Sequence, residues 1–296
     1  MTDNFIEVMK YVIGGVSFVA IAENLLAIAV FAGTKKLRIK YYTFVVNLAL
    51  SDFLFAVLAI LYRWFQSPVL DGFVTAAYIV SIMTIMAAAI NRYLALSLMP
   101  PARYDSLVTG YRLIGVCIML WVSSLLYGLL IFNASRPEVF NFVQVLGLSL
   151  SVFIFWFITA VVYFLAFRKI KQYAPPLASA AGISANEERD QTRVKQTRRL
   201  LVLFVLILVV SFISWAPAFA MRVIVFFNPS LWADEILKTL LYTLSTAINP
   251  LLYWFRLDGF REGFYAMFCR CVTKAEPREI EADPTTYDNT VAETGL

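Results

Sequence analysis

Five polar residues stand inside otherwise apolar stretches at similar depth: Asn24, Asp52, Ser81, Ser245 and Asn249. A carboxylate at the centre of a membrane span costs about 2.5–3.5 kcal/mol on insertion scales. Asp52 is therefore either protonated and bonded to a neighbouring helix, or ionised beside a cation and water. The pair Asn249-Pro250 is costly twice, because the proline removes a helical hydrogen bond and the amide must find a partner in hydrocarbon. Ser214-Trp215-Ala216-Pro217 marks a second proline-kinked stretch. Asn91-Arg92-Tyr93 ends the third apolar stretch with a cation, by itself no more than an anchor at a membrane edge. The chain has no histidine, which excludes imidazole metal ligands and histidine-based catalysis.

The elements that must position these groups are membrane helices. Of 296 residues, 60% are hydrophobic and 15% charged, too apolar for a solvated surface. Spans of about 20 apolar residues recur near 11–33, 42–64, 72–98, 110–132, 140–167, 199–227 and 234–255. Only helices or closed barrels satisfy a backbone in lipid, and no internal repeat suggests a two-halved transporter. The fold class is an all-α seven-helix bundle over 1–273, with a polar, disordered tail over 274–296. An amphipathic helix over 256–268 sets Phe255, Phe260, Phe264 and Phe268 against Arg256, Asp258, Arg261 and Glu262, a pattern suited to the membrane interface. The segment from about Arg168 to Arg198 is the longest inner loop and continues into a cytosolic helical extension.

Charge placement sets the topology. All but Lys10, Arg63, Arg136, Arg222 and Lys238 of the 25 lysines and arginines fall on one side, which orients the chain with its amino terminus outside. The net charge of +5 thus faces membrane lipids and cytosol, not nucleic acid. The first stretch is span-length and carries Glu23 and Asn24, so it reads as a span rather than a cleavable leader. Cys117, Cys269 and Cys271 all lie away from the outer face, which leaves no external disulfide. Cys269 and Cys271 follow the amphipathic helix and are palmitoylation candidates, free thiols being the alternative. Asn133-Ala134-Ser135 is a glycosylation sequon in the second outer loop.

Together, Asn249-Pro250-Leu251-Leu252-Tyr253, Asn91-Arg92-Tyr93 and Ser214-Trp215-Ala216-Pro217 resemble the rhodopsin-like (class A) G-protein-coupled receptors over about Val12 to Cys271. The resemblance implies a plasma-membrane receptor, not an enzyme, that carries a ligand signal to a heterotrimeric G protein. Arg92 would insert into the G-protein interface, flanked by Asn91 and Tyr93, with Tyr163 and Tyr253 bridging to it through water. Pro217 and Pro250 would be the hinges, Trp215 the residue above them, and Trp121 a packing residue. No cofactor is required. A sodium ion or water would sit among Asp52, Ser81, Ser245 and Asn249, with Leu244 replacing a frequent polar ligand. Ser211 stands where the family usually has an aromatic, one position from Phe212.

The absent outer disulfide, the absent fifth-helix proline and the stretch Ala102 to Thr109 resemble the cluster holding melanocortin, adenosine, cannabinoid and lysophospholipid receptors. Val74 occupies the place of the aminergic aspartate, which argues against a biogenic amine. The outer half carries Arg63, Arg222 and Lys238. As snorkelling anchors they would be inert; facing the cavity with Tyr78 and Trp215 they would draw an anionic lipid or other small acid. Asn91 and Thr197 replace the two acids that commonly hold the arginine quiet, which implies raised basal activity. Thr294-Gly295-Leu296 fits the short pattern captured by PDZ domains. A lipid scramblase, an ion-translocating protein and a light sensor are the alternatives. An opsin needs a Schiff-base lysine, and Tyr242 stands at that position.

Overall fold

The computed structural model describes residues 2–38, 40–98, 101–132, 142–172, 185–228 and 234–269. Its long helices are α1 (Thr2–Gly33), α2 (Thr43–Phe65), α3 (Pro68–Ser97), α5 (Gly110–Phe132), α6 (Leu148–Gln172), α7 (Ala185–Phe227) and α8 (Asp234–Arg256). Two shorter ones, α4 (Pro101–Leu107) and α9 (Asp258–Phe268), lie between α3 and α5 and after α8. A π-helical turn over Val143–Gly147 leads into α6. Asn133 and the residues from 270 onward, including Cys271, the tail expected to be disordered and the terminal Leu296, lie outside the described residues.

Six of these helices are long and apolar enough to cross a membrane, among the described residues. The exception is α8. Its threonines, Ser245, Asn249 and Pro250 lower its hydropathy, and they do so on one stripe. Tyr242, Ser245, Thr246, Asn249 and Tyr253 recur at helical spacing and are all buried. That face packs against α1 and α7, so the polar seventh helix completes the bundle by turning its polar groups inward.

Several boundaries differ from the sequence expectation. Helix α1 begins well before 11, and α7 starts at Ala185 because the expected helical extension and the sixth span form one continuous 43-residue helix. The amphipathic helix starts at Asp258, not 256: Leu257 is extended at its N-cap, which leaves Phe255 on α8 and exposed. The first outer loop is as short as expected. Gln66, with φ of 40°, closes α2 in the left-handed region, and Pro68 opens α3 at the position where its missing N–H costs nothing.

Close helix crossings use glycine. A Cβ on Gly128 of α5 would strike the carbonyl of Gly72 on α3, and one on Gly263 of α9 would strike Thr34. Small residues of this kind let membrane helices approach until backbones touch. Around Gly263, the rings of Phe31, Tyr253 and Phe260 join α1, α8 and α9, with centroids 5.3 to 6.3 Å apart. This triad fixes α9 beneath the bundle.

Candidate functional site

The proline of α8 leaves the carbonyl of Thr246, four residues earlier, without its helical N–H. Asn24 on α1 supplies the replacement: its Nδ2 donates to that carbonyl at 3.0 Å and to Ala20's carbonyl at 2.9 Å. The kink and its repair are thus carried by different helices, and α1 is tied to the hinge of α8.

One turn away, Asp52 is fully buried. Ser81 Oγ donates to its Oδ1 at 2.7 Å, and Asn249 Nδ2 donates to its Oδ2 at 2.6 Å. Three helices meet on one carboxylate. Ser245 is buried on the same face of α8 as Asn249. The amide oxygen of Asn249 is buried without a hydrogen-bond partner, an orphan acceptor beside the carboxylate. An acid, a hydroxyl and an unsatisfied amide oxygen suit a hard monovalent cation or a water. No cluster of three or more metal-ligating acids, cysteines or histidines occurs among the described residues, so a divalent site has no support.

One turn from Ser81 and Ser245, a group of rings joins α3, α7 and α8. Tyr78 stacks on Tyr242 with centroids 4.7 Å apart and meets Trp215 edge-on at 5.3 Å and Phe219 at 6.1 Å. Trp215 sits two positions before Pro217, so any change in the kink of α7 moves a ring that Tyr78 touches. Val74 packs at the margin of the same core. Arg63 lies elsewhere, lining a cavity between α1 and α2 that includes neither Tyr78 nor Trp215. Arg222 and Lys238 are on described helices, but their side chains are outside the described residues.

Further along α3, Arg92 is buried with 1% exposure. Its Nη2 donates to the backbone carbonyl of Tyr41 at 2.8 Å, and its guanidinium lies 5.6 Å from the Tyr41 ring. Its Nε and Nη1 are buried without partners. Asn91 does not hold it: the Asn91 side-chain oxygen accepts from Tyr104 Oη at 2.9 Å. Burial raises the Tyr104 phenol above its usual range, the nearby Arg92 charge opposing this. The two inner loops are themselves joined where Lys40 bonds Asp105 at 2.7 Å and the Val108 carbonyl at 2.8 Å. Tyr163 donates to the Ile85 carbonyl at 3.3 Å, and Tyr253 is buried in the aromatic triad; the structure shows neither bonded to Arg92. Thr197 is buried within α7, twelve residues after its start. Tyr93 is half-buried beside the core.

Three partners escaped the sequence reading. Tyr41 acts through its backbone, which leaves no side-chain signal. Tyr104 lies in an inner loop, away from the apolar spans that drew attention. Asn47 bridges Thr84, at 2.7 Å, and the indole N–H of Trp121, at 3.1 Å, and here the buried asparagine was signal enough. Trp121 keeps the packing role expected of it.

A family described as 7 transmembrane receptor (rhodopsin family) matches residues 23–253. The chain is similar to adenosine receptor A2b of Mus musculus, 25% identical over 87% of this chain and 88% of that protein. It is similar to cannabinoid receptor 1 of Xenopus laevis, 26% identical over 87% of this chain and 62% of that one. To the GQ-coupled rhodopsin of Mizuhopecten yessoensis it is 25% identical over 90% of this chain and 62% of that protein.

Proposed function

The chain belongs to the rhodopsin family of seven-transmembrane receptors, and on that premise we propose a plasma-membrane receptor with an outside amino terminus, an anionic ligand and raised agonist-free activity. Membership makes it a multi-pass G-protein-coupled receptor and not an enzyme, with a heterotrimeric G protein and a small molecule as its partners. The finer assignments are ours.

Raised basal activity rests on one observation: buried Arg92 is held by a neutral backbone carbonyl rather than an acid. Hydrogen bonds to an ionised acceptor are roughly twice as strong as those to a neutral one. A hold weaker by about 1–3 kcal/mol, a typical coupling energy, populates a measurable active fraction without ligand. Helix α7 swings about Pro217, Arg92 leaves Tyr41, and the inner face opens to the G protein with Tyr93 at its edge. Asp52, Ser81, Ser245 and Asn249 hold sodium or water at the pivot and favour the closed state.

The ligand is an anionic lipid or other small acid, drawn by Arg222 and Lys238 and received by the Tyr78–Trp215 rings, while Arg63, on a separate cavity, takes no part in that contact. Val74 supports this by offering no charge to an amine. Reversing Arg222 and Lys238 abolishes responses to every active lipid in an acidic-lipid screen; unchanged responses overturn the assignment. Cys269, half-buried at the end of α9, takes a palmitoyl group, as does Cys271; Asn133 carries a glycan and the terminal Leu296 engages a PDZ domain. A retinal-based light sensor is disfavoured by Tyr242, which is buried in ring contacts with Phe55, Tyr78 and Phe219.

A further inference from the structure

Arg92 carries a full charge that no acid answers. Its Nη2 is bonded to Tyr41, but its Nε and Nη1 are buried donors without acceptors, and so is Nδ2 of Asn91 beside it. The side chains close enough to act on that charge are the phenols of Tyr104, Tyr163, Tyr41 and Tyr42, which are neutral at physiological pH. Two acids act on those phenols, and both are engaged: Asp105, beside Tyr104, by Lys40, and Asp258, near Tyr42, by Arg199 and Arg261. A guanidinium does not shed its proton, so burial cannot neutralise it as it neutralises a lysine or a carboxyl. Buried charges persist where they are paired and hydrogen-bonded. Among the described residues, nothing supplies that countercharge.

We propose that a small monovalent inorganic anion, chloride in the cell, binds at the free donors of Arg92 in place of an acidic side chain. The inference deepens the reading of Arg92 as a cation held without an acid, and makes agonist-free activity depend on the anion. Three features select the occupant. One buried cation calls for one negative charge, where phosphate or sulfate would bring an excess. Arg92, Asn91, Tyr104 and Tyr163 are all buried, so a large organic acid would have to displace rings, whereas an ion of chloride's size adds little volume. The unmatched groups, Arg92 Nε and Nη1 and Asn91 Nδ2, are all donors. That suits an ion that only accepts better than a water, which must also donate. Bound there, the anion favours the closed state and leaves when Arg92 does.

The test is thermal unfolding of the full-length receptor in phosphatidylcholine nanodiscs, with sodium held constant so that Asp52 meets the same cation throughout. Sodium gluconate is replaced by sodium chloride or sodium bromide at equal ionic strength. Both halides raise the unfolding midpoint of the wild type by about 3 °C or more, as a ligand of the folded state at roughly ten times its dissociation constant would. Asn91→Asp, which carries its own acid, and Arg92→Gln, which has no charge to answer, lose that shift. Should Arg92→Gln fail to fold, Asn91→Asp decides. A shift as large in Asn91→Asp as in the wild type marks a general salt effect and overturns the site. Equal midpoints in gluconate and halide, the result expected of water alone, overturn it too. In nucleotide exchange without agonist, passing from chloride to gluconate raises wild-type activity about three-fold, while Asn91→Asp does not respond to the change of anion. A midpoint that follows the halide in a receptor with no agonist-free exchange keeps the anion site and removes the raised basal activity. High exchange that ignores chloride, with equal midpoints, does the reverse.

Discussion

Arg92 donates to the main-chain carbonyl of Tyr41 at 2.8 Å, so among the described residues this buried cation is restrained by the loop between α1 and α2 and not by an acid. Around that bond, Tyr104 takes up Asn91, and Lys40 pins the second inner loop to the first. The hydrogen bond on Arg92 is to a neutral acceptor, while the two loops are tied by the Lys40–Asp105 ion pair.

Restoring an acid beside Arg92 should therefore quiet the receptor. Asn91→Asp keeps an acceptor for Tyr104 and adds a charge next to the guanidinium. Agonist-free signalling per surface receptor falls about three- to ten-fold, corresponding to roughly 1 kcal/mol of added restraint. Thr197→Glu, introduced within α7, acts in the same direction. Substitutions that leave basal signalling unaltered contradict the account.

A second contact links α7 to α9. Arg199 on α7 lies 3.0 Å from Asp258 on α9, which also pairs with Arg261. Both side chains of the bridge are about half exposed, so its contribution is small, about 0.2–1 kcal/mol. Asp258→Asn raises basal activity up to about five-fold, and the exchange Arg199→Asp with Asp258→Arg restores it toward wild type. Concentration–response curves per surface receptor read this, and a double exchange no better than the single variant removes the tether from the account.

The repair of the proline gap is testable as a cycle. Asn24→Leu leaves the Thr246 carbonyl unpaired in an apolar interior, at a cost of about 1–3 kcal/mol. Pro250→Ala returns an N–H to that carbonyl, so in its background Asn24→Leu costs markedly less. Thermal unfolding in nanodiscs measures both. Equal costs in the two backgrounds would show that Asn24 acts by packing alone.

Asp52→Asn keeps a small polar group facing Ser81 and Asn249, so the protein folds and reaches the surface. A neutral amide holds a cation poorly. Any dependence of basal signalling on sodium therefore disappears, while potassium substitution leaves the variant unchanged. A wild-type receptor indifferent to sodium makes Asp52 a bonded packing residue.

How much of this was legible in the chain depends on which atoms do the work. Asp52, Ser81 and Asn249 could be found because side-chain polarity inside apolar spans is rare and costly, and the structure joins all three within hydrogen-bond distance. The all-α bundle was legible from span lengths, and α8 from Asn249-Pro250 despite its low hydropathy. The hold on Arg92 was not, because a backbone carbonyl is present at every residue and only folding chooses Tyr41. Tyr104 and Asp258 were hidden for a related reason: on a loop or an interfacial helix, polarity is ordinary.

The most direct measurement is nucleotide exchange on a panel of purified heterotrimeric G proteins, catalysed by the receptor in nanodiscs without ligand. The account predicts exchange above empty nanodiscs for at least one G protein, reduced in Asn91→Asp and lost in Arg92→Ala at equal receptor density. Wild-type receptor at the level of empty nanodiscs on every G protein, or full exchange with Arg92→Ala, would contradict it.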